Sequence, residues 1–339
     1  MTKKSKKVFN VILLILSVWL VTFLLANYQS IKELARFAVS YYDYEYLSKD
    51  TIPHNSDYKI VYDLTSNHKG TILLKSPSGK GFDSNYISIP RNYWRMRYIL
   101  RFLDSCNISC TTLPISEASQ GRLLFPDYNI FIKPGKSNRF KLITAHYDIL
   151  ERNDYQGALD NSASVAILLN LMRKNLDKLR DNNVAILLTT GEERGLLGAK
   201  HFINHQKFEI REVICLDGVG RGELGAMNNS MGSFGFRFKN WLFQDKIFTG
   251  SAFKKCPEFQ HIDESVIDFK KYGIKSLTPF LSSTDARVFS NAGIPTVHLV
   301  SEEIVHFLKV LHTNNDGVNG LHFQSLTQCE KILSEYIKE

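Results

Sequence analysis

Residues 184–193 read Val184-Ala185-Ile186-Leu187-Leu188-Thr189-Thr190-Gly191-Glu192-Glu193. Val184 to Thr189 is a short, mostly apolar run without helical spacing, the pattern of a strand buried on both faces of a mixed or parallel sheet. A Thr-Thr-Gly turn follows, and the chain then presents two adjacent carboxylates. The same arrangement recurs to either side. Phe140 to Ala145 (FKLITA) ends in His146-Tyr147-Asp148, and Val213 to Leu216 (VICL) ends in Asp217. Ile294 to Val300 (IPTVHLV) reads as a further strand. Helical segments lie between or around the strands: Tyr93 to Leu103, Asn161 to Arg173, Leu196 to His205 and Ser325 to Ile337. Alternating strands and helices predict an α/β sandwich with a central sheet. Tyr128 to Lys133 (YNIFIK) and Phe140 to Ala145, joined by Pro134-Gly135-Lys136-Ser137-Asn138, are expected to pair as a hairpin.

In open α/β sheets ligands bind outside the carboxyl ends of the strands. His146, Asp148, Glu192, Glu193 and Asp217 all fall at such ends. Asp160 is expected to open the helix after the first of these strands, where backbone N–H groups favour a carboxylate. His312 precedes a Thr-Asn-Asn-Asp turn. Taken singly, each has an ordinary reading. A Glu-Glu pair is usually a solvated helix face, and an Asp before Gly is usually a turn residue. Together, carboxylates and imidazoles at neighbouring strand ends are what a pair of divalent ions requires, with a carboxylate left over to move protons.

The ordered set resembles the M28 family of zinc aminopeptidases. The matching motifs are His146-Tyr147-Asp148, Gly157 to Ser164 (GALDNSAS), Gly191 to Ala199 (GEERGLLGA), Leu216 to Gly220 (LDGVG), Gly293-Ile294-Pro295 and His312 to Asp316 (HTNND). The resemblance runs from about residue 85 to 335. It implies a three-layer α/β/α sandwich around a mixed, mostly parallel central sheet, as in zinc peptidases and phosphorylase-like hydrolases. It also implies two Zn²⁺ per chain and a peptide substrate with a free N-terminus. Carried over by motif, His146 and Asp217 would hold one zinc, Glu193 and His312 the other, and Asp160 would bridge them. Glu192 would be the general base. Asp148 would hydrogen-bond His146 and fix its tautomer. One position departs from the family: in Ser283 to Phe289 (STDARVF), Ala286 stands where a His is common, so substrate preference does not transfer. Two other functions stay open, a single-zinc enzyme like glutaminyl cyclase and a membrane-anchored binding module without activity.

The 339 residues are 44% apolar, enough for one large core. Of the net charge of +8, Lys3, Lys4, Lys6 and Lys7 supply half and the rest is dispersed, which argues against a nucleic-acid partner. The basic residues 1–7 form a cytoplasmic tail, and residues 8–28, an apolar run broken by few polar residues, form a transmembrane signal anchor. The charge asymmetry places the body outside the cytoplasm, with secretion after signal cleavage as the alternative. Residues 29–50 read as an amphipathic stalk and 51–339 as the peptidase domain. Within it, 218–281 is a candidate insertion shaping the pocket. Cys106 and Cys110 are close enough to bridge, but two free thiols fit equally well. His201 and His205 lack the Glu of a zinc-binding helix and read as a surface pair. His298 reads as a core or pocket-wall residue, and Gly220 to Gly225 as a turn rather than a nucleotide loop.

Overall fold

All six residues of Val184–Thr189 are buried, because this strand has neighbours on both edges and helices on both faces. The structure, a computed structural model, describes Ser17, Pro53 and residues 56–66, 71–73, 86–88, 90–115, 127–151, 155–227, 265–277 and 284–339. In chain order the strands are β1 (Thr71–Leu73), β2 (Tyr86–Ser88), β3 (Thr111–Pro114), β4 (Tyr128–Ile132), β5 (Arg139–His146), β6 (Val184–Thr189), β7 (Glu209–Leu216), β8 (Leu224–Met227), β9 (Lys275–Leu277) and β10 (Thr296–Ser301). The helices are α1 (Lys59–Thr65), α2 (Arg91–Ser105), α3 (Ala163–Asp181), α4 (Leu197–His205), α5 (Phe269–Tyr272), α6 (Asp285–Asn291), α7 (Ile304–Val310) and α8 (Phe323–Tyr336).

Strands β3 to β10 form one eight-stranded sheet in the order β3-β4-β6-β5-β7-β10-β8-β9. Its centre, β6-β5-β7-β10, is parallel throughout. β4 and β8 join that centre antiparallel. Alternate side chains along β5 and β6 enter opposite cores. Phe140, Leu142, Ala185 and Leu187 pack with Ala199 and Phe202 of α4 and Phe289 of α6. Ile143, Ala145, Ile186 and Leu188 pack in the larger core with α2, α3 and α8. Helices therefore cover both faces, the three layers expected of an α/β sandwich.

The expected hairpin does not form. β4 pairs with β3 and β6, and β6 lies between β4 and β5. A strand as apolar as Val184–Thr189 leaves no face or edge for water. The insertion gives it two paired edges, whereas a β4–β5 hairpin would exclude it from that place. Asp160 also differs from expectation. It sits in a wide turn, Ala158–Ser162, with non-helical φ −116° and ψ 82°, and α3 begins only at Ala163. The ends of the 218–281 segment belong to the sheet as β8 and β9, and residues 228–264 lie outside the described ones. Cys106 and Cys110 are free thiols. Among the described residues no helix is long and apolar enough to cross a membrane. The anchor expected at 8–28 and the stalk at 29–50 lie, Ser17 apart, outside those residues.

Candidate metal centre

The parallel centre of the sheet delivers its carboxyl ends to one edge. His146 is the last residue of β5, Asp217 follows β7, and the Glu192-Glu193 turn follows β6. Two groups of potential donors form there: His146 with Asp160 and Asp217, and Asp160 with Glu193 and His312, the donor atoms of each lying within 4.8 Å of one another. Asp160 belongs to both. Its Oδ1 is 3.1 Å from His146 Nε2, and its Oδ2 is 3.4 Å from His312 Nε2. His146 Nε2 is 3.5 Å from Asp217 Oδ1, and His312 Nε2 is 3.0 Å from Glu193 Oε2. Neither group includes Glu192.

Each donor is held by its own local chemistry. Asp148 accepts the N–H of Glu192 at 3.2 Å and that of Glu193 at 3.3 Å, one on each carboxylate oxygen, and so ties the Glu-Glu turn to the end of β5. His146 Nδ1 lies nearer the Asp148 carbonyl, at 3.1 Å, than the Asp148 carboxylate, at 3.6 Å. The carboxylate expected on His146 is thus largely engaged with the turn. Asn161 donates to the Leu216 carbonyl at 2.9 Å and accepts from Gly218 N–H at 3.4 Å, gripping both neighbours of Asp217. Asp160 accepts from the Tyr155 hydroxyl at 3.0 Å, not from helix N–H groups. Its own N–H goes to Asp316, at 3.1 Å, and Asp316 also accepts Leu159 N–H at 2.7 Å. Asp316 thereby latches the loop bearing His312 to the turn bearing Asp160. His312 itself has φ +58°, a left-handed conformation uncommon for His.

Sequence reasoning assigned no role to Tyr155, Asn161 or Asp316. Asn161 and Asp316 stood within quoted motifs, but Tyr155 lies outside them, and its contact with Asp160 exists only because the loop folds back. His298 is buried and its Nε2 is 3.3 Å from the Asp217 carbonyl, a satisfied wall residue as expected. His201 and His205 stack on the surface of α4 with ring centroids 4.0 Å apart.

The electrostatics are those of acids crowded out of water. Burial raises Glu192 to about 10, with the charges of Asp217, Asp285 and Asp148 adding to the effect against that of His146. Burial also raises Asp285 and Asp316 to about 7 each. Burial would raise Asp160 too, but the His146 and His312 imidazoles beside it outweigh that and hold its carboxyl well below the usual range. His312 is raised to about 10 by Asp160 and Glu193. Buried donor atoms with no hydrogen-bond partner include His146 Nε2, Glu193 Oε1 and Asp217 Oδ1. An unpaired buried polar atom is costly, and three of them within two converging donor sets fit cations. Imidazole and carboxylate donors suit zinc, so the residues present fit the metal that the motifs imply.

Fold and donor sets together define a metallohydrolase-type centre on an α/β sheet. Residues 129–337 match peptidase family M28, and the chain belongs to that family, whose enzymes are zinc-dependent. It is 26% identical over 281 residues to a vacuolar membrane protease of Schizosaccharomyces japonicus, covering 78% of this chain and 31% of that protein. The chain thus spans about a third of the length of this curated relative. In fold it resembles a leucine aminopeptidase precursor from Bacteroides thetaiotaomicron, with TM-score 0.57, 15% identity and coverage of 86% of this chain and 99% of that one. It resembles the glutaminyl cyclase of Porphyromonas gingivalis to a similar degree, with TM-score 0.56, 16% identity and coverage of 85% and 99%.

Proposed function

We propose that this chain is a zinc-dependent aminopeptidase that hydrolyses the N-terminal peptide bond of peptides. The observation that carries the reading is Asp160, whose two carboxylate oxygens face separate histidines. His146 and Asp217 would hold one zinc, Glu193 and His312 the other, with Asp160 shared between them. When bound, the two ions supply the Lewis acidity of the centre, lowering the pKa of water and polarising the scissile carbonyl. Cations on Asp217 and the other donors would offset the negative charges that help raise Glu192 and so favour its carboxylate. Glu192, next to the donors but in neither set, then takes the proton of the attacking water and returns it to the departing amine. Asp148 keeps Glu192 and Glu193 in register through their backbone N–H groups.

Residues 1–7 would be a cytoplasmic tail, 8–28 a signal anchor in the bilayer and 29–50 a stalk, with 51–339 outside the cytoplasm. The membrane location is supported by the name of the fungal relative, a vacuolar membrane protease.

The test pairs metal analysis with a substrate panel. The full chain should hold two zinc ions and cleave aminoacyl-nitroanilides while sparing their N-acetylated forms. One metal per chain with ammonia release from Gln-peptides would replace this reading with a cyclase. Neither metal nor turnover would leave a binding module.

A further inference from the structure

Helix α2 lies before residues 129–337, the part that matches the peptidase family. Its first turns nonetheless grip the loop that leaves β5. Arg91 donates to the Tyr155 carbonyl. Asn92 exchanges two hydrogen bonds with the backbone of Ile149, at 2.8 and 2.9 Å. Glu151 accepts the N–H groups of Arg91 and Asn92 at 3.2 and 2.8 Å. One turn further on, Arg95 reaches deepest and is only 3% exposed. Its Nε donates to the Tyr147 carbonyl at 2.5 Å, and its Nη1 donates to the Leu64 carbonyl at 2.8 Å and to Ser162 Oγ at 2.9 Å. Ser162 Oγ donates in turn to the Gly157 carbonyl at 2.5 Å.

Tyr147 stands between His146 and Asp148, and Ser162 stands two residues past Asp160. One planar fork therefore spans the two segments that carry His146 and Asp160, and its rigid geometry fixes their separation. The hydrogen-bond acceptors of Arg95 are all neutral, and its Nη2 is buried with no partner. A buried cation without a paired carboxylate is costly. A neutral amide could serve the same backbone carbonyls. What the charge adds is its place behind the carboxylate cluster, since Asp148 and Asp160 both act on it electrostatically.

We infer that Arg95 is a positioning residue for the metal centre, holding His146 and Asp160 at the spacing that lets both donor sets fill together. The inference rests on the metal centre proposed above. It extends the working part of the molecule to a helix outside the family segment.

The test is metal binding by the full chain, stripped of metal and titrated with Zn²⁺ by calorimetry and with Co²⁺ by its visible absorption. Arg95→Met, Arg95→Lys and Ser162→Ala are compared with Arg97→Met, an exposed position on the same helix. Loss of an outer-shell contact weakens metal binding about 10- to 100-fold. Arg95→Met is expected in that range, with an altered Co²⁺ spectrum and a lower kcat at little changed KM. Arg95→Lys and Ser162→Ala should fall between it and the unsubstituted chain, and Arg97→Met should match the unsubstituted chain. If Arg95→Met does not fold, Arg95→Lys decides: affinity and spectrum equal to those of the unsubstituted chain overturn the inference. So does a folded Arg95→Met that melts lower yet binds both ions unchanged. If the unsubstituted chain binds no divalent ion, the proposed function falls as well. If it binds two and Arg95→Met binds them equally well, only the role of Arg95 falls.

Discussion

Glu192 and Glu193 are neighbours in sequence, yet only Glu193 enters a donor set, because successive side chains in the turn after β6 point differently. Glu192→Gln preserves shape and removes the base. It is expected to retain both metals and lower kcat by about 10²–10⁴-fold, the usual worth of general acid–base catalysis. Elemental analysis alongside steady-state kinetics checks this, and a fully active variant would remove Glu192 from the mechanism. Gly157 is a second residue with a sharp outcome. Its φ is +62°, and an added Cβ would lie 2.4 Å from Ile149 Cγ2 and 2.7 Å from the Asp160 carbonyl. Gly157→Ala therefore strains the turn that bears Asp160. A left-handed residue with a Cβ costs about 1–2 kcal/mol before any clash is counted, so a lower melting temperature and weaker metal binding are expected together. A melting curve with and without Zn²⁺ separates the two effects.

The element that organises the site is β6, seated between β4 and β5. Its exit is fastened from β4. Asn129 accepts the N–H of Thr190 at 3.1 Å and donates to the Gly198 carbonyl at 2.9 Å. Both contacts are buried, so Asn129→Ala leaves a donor and an acceptor without partners. Each such group costs about 1–3 kcal/mol, and the variant should unfold at a clearly lower urea concentration with an unchanged m-value. Because the Glu192-Glu193 turn joins Thr190 to Gly198, activity should fall further than the folded fraction alone accounts for. The β6 strand was legible from its apolar run, and its partner was not. Pairing depends on which edges remain open once every strand is placed, and β4 and β5 looked like a hairpin because only their turn was visible. The turn at Asp160 is not legible in the sequence for a related reason. Small residues after an Asp resemble a helix start, but hydrogen bonds from Leu159 and Asp160 to the distant Asp316 set the backbone instead.

Across the whole molecule, stability and metal content should be linked. Asp160, Glu193 and Asp217 bring three carboxylates together beside buried atoms that lack partners. Ions that bind only the folded chain stabilise it by mass action, by about 4 kcal/mol at a thousandfold excess over Kd. Chelation should therefore lower the melting temperature by several degrees, and added Zn²⁺ should restore it. No shift under calorimetry would mean that the donor sets are empty in solution. Tertiary links far from the centre are independent of metal. The Tyr58 hydroxyl donates to the Leu326 carbonyl at 3.1 Å and to the Glu330 carboxylate, tying the start of α1 to α8. Tyr58→Phe should destabilise the chain, read by the same melting curves, while leaving the response to Zn²⁺ intact.

What the sequence by itself determined was chemistry and direction. Apolar runs set where strands end, and the residues just past those ends are the ones that converge, because parallel strands share a carboxyl edge. Local patterns carry that much, since they depend on neighbours in the chain. Only the tertiary structure decided the order of the strands, the reach of Tyr155 and Asp316 to Asp160, and the burial of Arg95 behind it. Those contacts join residues far apart in the chain or on separate elements, and packing, not pattern, selects them.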